Sequence, residues 1–143
     1  MRKKIQFGIT ILAFSFSFYS MAQNSQPSHE LDKVCKSQKQ EMADVYENGA
    51  LTECYFKNAS LLQAYEKYRS LLGQDDQSFL SSKLVLNKNL ETKCSNDNCI
   101  SVNYNWDGIE KLNIEQVFAG GETHLEFNQD KKGTRLEIRY FPD

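Results

Sequence analysis

The sequence predicts an α+β fold in which two or three N-terminal helices pack on a four-stranded antiparallel β-meander. Three observations predict it. Up to about residue 90 the apolar residues recur at helical spacing, whereas from Ile100 onward they alternate with polar ones, the period of a strand with one wet face. Turn-forming pairs punctuate the second half at regular intervals. The cysteines number four, all beyond residue 34, and can staple a small domain.

The chain starts with a segment that precedes the domain. Met1-Arg-Lys-Lys is a basic cap, Ile5 to Tyr19 carries no charge, and Ser20-Met21-Ala22 offers small residues at a cleavage site. That order reads as a secretory signal peptide over residues 1–22. The apolar run is shorter than the roughly 20 residues a bilayer span needs. No stable membrane anchor is therefore expected after cleavage. The brief basic region and the Ala22-Gln23 junction have a bacterial pattern, which predicts a periplasmic or secreted protein. Cleavage removes Arg2, Lys3 and Lys4 and no acid, so the formal net charge of −2 becomes −5. An acidic chain disfavours nucleic acid as a partner and favours another protein, a basic one in particular.

Residues 23–30, with Pro27, read as a flexible arm. Residues 31–143 read as one α+β domain, mainly helical over 31–93 and a meander over 94–143. Leu31, Val34, Cys35, Gln38, Met42, Val45 and Tyr46 fall at helical spacing, and Asn48-Gly49 supplies a stop. Thr52 can cap a second helix whose stripe runs from Leu51, Cys54 and Tyr55 to Tyr65, Tyr68 and Leu72, with Gly73 at its end. Asp75-Asp76 suits the N-terminus of a third helix near Phe79, ending at about residue 82. Residues 83–90 mix the two periods.

Ile100 to Trp106, Leu112 to Phe118, Leu125 to Phe127 and Leu136 to Tyr140 are the four strands. A two-residue Gly120-Gly121 loop sets Ile114 opposite Phe127. A four-residue loop over 129–132 sets Leu125 opposite Leu136 and, on the wet face, Glu126 against Arg135, His124 against Glu137 and Glu122 against Arg139. Sliding this pair by two residues brings Glu against Glu, so the charge ladder selects that register. At Asp107-Gly108 a two-residue loop would turn Lys111 onto the apolar face. Parity there requires a loop of odd length or a bulge.

Of the three possible cysteine pairings, Cys35–Cys54 and Cys94–Cys99 are favoured, the first tying two neighbouring helices. The spacings of 19, 40 and 5 contain no CxxC and match no zinc ribbon or finger.

No catalytic residue, metal site or cofactor motif is read from the chain. Only His29 and His124 could serve as a histidine base, and no serine sits in a Gly-flanked elbow beside either. Asn128 to Gly133 resembles a calcium loop until Lys132 and Arg139 fall on ligand positions. Asn58-Ala59-Ser60 is a glycosylation sequon with meaning only in a eukaryotic secretory route. The candidate binding residues are Trp106, Asp107 and Glu122 at turn tips and Tyr65 and Tyr68 on the second helix.

Helices followed by a curved antiparallel sheet resemble the NTF2-like cone at the level of architecture. That likeness implies no particular activity. The function expected is a small exported non-catalytic binding protein, most concretely an acidic inhibitor or immunity-type protein acting on a periplasmic or secreted hydrolase or toxin. Two alternatives stand beside it: a small-ligand-binding NTF2-like module with a pocket lined by Tyr65, Tyr68 and Trp106, and a carboxylate-based envelope hydrolase.

Overall fold

Alternation at period two begins much earlier than Ile100. In the computed structural model, which describes residues 30–94 and 98–143, Thr52, Cys54 and Phe56 point to one face of a strand and Glu53, Tyr55 and Lys57 to the other. Thr, Tyr and Phe are strand-favouring residues, and Gly49, at φ 77°, has already broken the preceding helix. The chain runs α1 (Leu31–Val34), β1 (Cys35–Ser37), α2 (Met42–Asn48), β2 (Ala50–Lys57), α3 (Leu61–Leu71), α4 (Gln74–Phe79) and β3 (Leu90–Lys93). It continues through β4 (Cys99–Asp107), β5 (Lys111–Phe118), β6 (Gly121–Asp130) and β7 (Gly133–Pro142). The predicted signal peptide and the arm as far as His29 lie outside the described residues.

These elements correct the expected fold class. A seven-stranded antiparallel sheet in the order β1-β2-β7-β6-β5-β4-β3, with a few short helices, replaces the four-stranded meander behind N-terminal helices. The long first helix is cut in two by β1, and the second helix begins at Leu61, nine residues after Thr52. The meander gains β3 at its outer edge, and β2 pairs with β7 along its whole length. The NTF2-like analogy rested on helices preceding the sheet, an order that β1 and β2 break.

One face of the sheet carries the core. Val102 and Tyr104 of β4, Leu112 and Ile114 of β5, Leu125 and Phe127 of β6 and Leu136 of β7 are all at most 1% exposed. α3 covers them because Leu61, Ala64, Tyr65 and Tyr68 share one side of it. Ser60 and Gln63 form a capping box at its start, which satisfies two otherwise unpaired backbone donors. Tyr65 and Tyr68 both stand edge-on to Phe127, at 5.9 and 6.2 Å. Phe79 of α4 packs edge-on to Phe118 at 5.4 Å.

Asp107 pairs with Lys111, so the β4–β5 loop has the odd length parity demanded, residues 108–110, with Gly108 at φ 68°. The other two hairpins slip by two residues from expectation. Phe118 pairs with Gly121, which sets Ile114 opposite Leu125. Asp130 pairs with Gly133, which sets Leu125 opposite Ile138 and Phe127 opposite Leu136. Each slip preserves which face a residue occupies and changes its partner.

Both favoured disulfides are present, Cys35–Cys54 and Cys94–Cys99. The first does not tie helices. Cys35 and Cys54 are direct partners across β1 and β2, with Cα atoms 3.9 Å apart. Oxidised cysteines suit an oxidising extracellular compartment. Among the described residues no helix is long and apolar enough to cross a membrane.

Candidate functional site

The face of the sheet opposite α3 is mainly polar, because most residues between the core positions of β4 to β7 are Asn, Glu, His, Lys and Arg, with Val117 and Phe141 the apolar exceptions toward one end. It is hollowed into an open groove of about 350 Å³ that crosses all four strands. Asn105 of β4, Asn113 and Glu115 of β5, His124 and Glu126 of β6, and Glu137 and Arg139 of β7 line it. α2 flanks one end, where Arg139 Nη1 donates to the Asn48 carbonyl at 3.2 Å.

The slipped β6–β7 register decides the electrostatics. Glu126 lies directly opposite Glu137, and His124 opposite Arg139, in place of the alternating charge ladder expected. Like charges in direct opposition are unfavourable, so each carboxylate turns to a separate partner. Asn128 Nδ2 donates to Glu126 Oε1 at 2.7 Å, and Lys111 Nζ lies 3.2 Å from Glu126 Oε2. The Asn128 hydrogen bond, Lys111 and the more distant Arg139 together hold the Glu126 carboxyl below its ordinary value, against a partial desolvation that raises it. Glu137 accepts a long contact from Arg139 Nη2 at 3.5 Å. With His124 neutral, the lining carries three carboxylates against one guanidinium.

His124 Nε2 lies 3.0 Å from Glu122 Oε2, and its ring leans on Phe141 with centroids 5.0 Å apart. Glu115 is the cross-strand partner of His124. Glu115, Glu122 and His124 form a group at the groove rim able to offer ligand atoms to a metal.

The residues expected to bind are dispersed. Tyr65 and Tyr68 are 2% and 6% exposed, and burial pushes both phenols up. They fill the space between helix and sheet that a ligand pocket would occupy. Trp106 is half-buried at the end of β4 and packs against the core, with Nε1 buried and unpartnered among the described residues. Asp107 and Glu122 are accessible but stand at opposite ends of β5, about 20 Å apart at 3.4 Å per residue, so they do not form one insertion point. Asp75 and Asp76 occupy the first turn of α4, where carboxylates favour the helix dipole. All four cysteines are in bridges.

The sequence did not mark Glu115 at all, and it marked Glu126, Glu137 and Arg139 only as rungs of a charge ladder, not as site residues. Their alternation with core residues was the available signal, since it put all of them on one face. What it lacked was the register that brings them across from one another. No protein-family model matches the chain, and neither a curated protein nor a solved structure matches it significantly.

Proposed function

We propose that the chain is an exported, non-catalytic binding protein of the inhibitor or immunity type, and that it receives a basic protein partner on the polar face of its sheet. One observation carries this reading: an open groove lined by Glu115, Glu126 and Glu137 with a single guanidinium, across four paired strands. A carboxylate whose charged form is favoured by its neighbours, as that of Glu126 is, loses little on meeting a cationic side chain, and charge of this kind steers association. The net charge of −2, or −5 if residues 1–22 are cleaved as expected, acts in the same direction. The solidly filled interior at Tyr65 and Tyr68 argues against the small-ligand module.

The test is capture of a partner from envelope extract at low salt. Glu137→Lys places a cation in the groove, whereas Glu66→Lys alters α3, an element of the opposite face. Recovery of one basic protein by wild type and Glu66→Lys, with loss in Glu137→Lys and at high salt, is the expected result. Equal recovery by all three would remove the groove from the interface.

The juxtaposition of Glu126 and Glu137 favours one second reading, a carboxylate hydrolase. A general acid must keep its proton near neutral pH. Asn128 and Lys111 do the opposite to Glu126. Release of reducing ends from peptidoglycan by wild type, abolished in Glu137→Gln, would establish hydrolysis instead.

A further inference from the structure

We infer that Glu115, Glu122 and His124 form a binding site for a divalent first-row transition-metal ion, of which Zn²⁺ is the natural probe. The group shares Glu115 and His124 with the groove but needs no protein partner to bind an ion. Two strands assemble the three side chains. His124 and Glu115 are direct partners across β5 and β6, and Glu122 precedes His124 by two residues on the same strand, which puts it on the same face. One ligand atom from each lies within 4.8 Å of the other two. Bonds of about 2.0–2.2 Å in a tetrahedral zinc site bring such atoms closer still, and glutamate side chains on an accessible face can supply the remaining movement by rotamer change.

Donor chemistry selects the ion. One imidazole nitrogen and two carboxylate oxygens form a mixed N/O set that suits Zn²⁺, Ni²⁺ or Cu²⁺. Ca²⁺ prefers 6–8 oxygen ligands, and Mg²⁺ a near-ideal octahedron, neither of which three side chains provide. Two carboxylates and a neutral imidazole carry a charge of −2, which balances the ion. The imidazole is already directed. Its Nε2 faces Glu122 at 3.0 Å and its ring is steadied by Phe141. The ion would replace the hydrogen that Glu122 and His124 share.

The nearby cations are occupied elsewhere. Arg139 is the cross-strand neighbour of His124 on β7, but its guanidinium is engaged by the Asn48 carbonyl and Glu137. Lys111, on the same strand as Glu115, is paired with Glu126. Three protein ligands leave further coordination positions to water, facing the solvent at the groove rim.

The experiment is calorimetric titration of the purified, disulfide-intact chain with Zn²⁺, alongside NMR of its two histidine rings. Binding of one Zn²⁺ per chain, with the His124 resonances moving and those of His29 unmoved, is expected. His124→Ala and Glu122→Gln should each weaken binding at least about tenfold, the scale on which metal sites respond to lost support. His29→Ala should bind as wild type does. These positions are on the polar face, and circular dichroism of each variant verifies that the sheet persists. Wild-type affinity in folded His124→Ala, a response at His29 alone, absence of saturable binding, or equally tight binding of Mg²⁺ would each overturn the assignment.

Discussion

Ser81, just beyond α4, is gripped by two buried tyrosines, and the grip sets a measurable free energy. Tyr65 Oη donates to the Ser81 carbonyl at 2.7 Å, and the Ser81 N–H donates to Tyr104 Oη at 2.7 Å. Tyr65 is 2% and Tyr104 0% exposed, with rings edge-on at 6.4 Å. Through Ser81 the helix and the sheet together fix the chain that must travel on to β3. Tyr104→Phe keeps the ring and removes the acceptor. An orphaned buried donor costs about 1–3 kcal/mol, and because Ser81 is only half-buried the lower part of that range applies, about 1–2 kcal/mol. Tyr65→Phe removes a donor from a carbonyl that can still find water, and should cost about 0.5–1.5 kcal/mol. Both bonds hold one residue, so the double variant should lose less than the sum by about 0.5 kcal/mol or more. Urea unfolding of the four proteins measures the cycle, and hydrogen exchange at the Ser81 amide reports the site directly. Tyr104→Phe within about 0.3 kcal/mol of wild type, below the usual worth of one hydrogen bond, with the Ser81 amide still protected, would refute the reasoning.

Three further outcomes are expected. Replacing Cys35 and Cys54 together by Ala should lower stability by about 3 kcal/mol, the chain-entropy value for a loop of this length, read from thermal melts; a loss under about 1 kcal/mol would mean the bridge constrains the unfolded chain little. Glu126 has its folded pKa depressed from 4.5, so its stabilising contribution is present above that value and is lost as pH falls through the lower folded value. Urea midpoints against pH should therefore fall less steeply on the acid side for Glu126→Gln than for wild type, and superimposable acid limbs would contradict the assignment. Gly133→Ala should destabilise by about 1–3 kcal/mol or more, because a Cβ there would meet the Phe56 carbonyl oxygen at 2.3 Å and φ is +152°; an unchanged urea midpoint would count against this packing.

Much of the sheet was legible because alternation is a strong signal wherever one face is wet and the other dry. β4 to β7 appear where the alternation places them, and the odd loop after Asp107 follows from parity alone. β2 was misread because its apolar residues can also be threaded onto a helical stripe: Leu51, Cys54 and Tyr55 extend the genuine stripe of Leu61, Tyr65 and Tyr68 backwards. The capping box at Ser60 and Gln63 marked the true helix start and should have outweighed that stripe. β1 is three residues long and exists through its pairing with β2, a contact between distant segments that local periodicity does not encode. The same limit hid the grouping of Glu115, Glu122 and His124, where no metal site was expected. Glu115 and His124 meet only when β5 and β6 are in register.

The failure of the charge ladder bears most on function. Three exposed Glu–Arg or His–Glu pairs, at about 0.2–1 kcal/mol each, pointed to a β6–β7 register that the protein does not adopt. The turn outweighs them. Asp130 Oδ1 accepts from the backbone N–H groups of Lys132 and Gly133 at 2.6 and 3.1 Å, and the Asn58 N–H donates to the Lys132 carbonyl at 2.8 Å, fastening the hairpin to the end of β2. On the dry face this register buries Phe127 beside Leu136, both 0% exposed. Both registers keep these side chains on the dry face, so the turn decides between the registers, against screened ion pairs that return only about 0–1 kcal/mol each. The wet face takes the consequence. A ladder in the expected register would have set Glu126 against Arg135 and Glu122 against Arg139, pairing more of the acid on this face. In the observed register Glu126 confronts Glu137, while Arg135 falls opposite Asn128. The acidic groove therefore follows from what the turn requires: Glu126 and Glu137 draw on Lys111 and Arg139, and the lining keeps three carboxylates against one guanidinium.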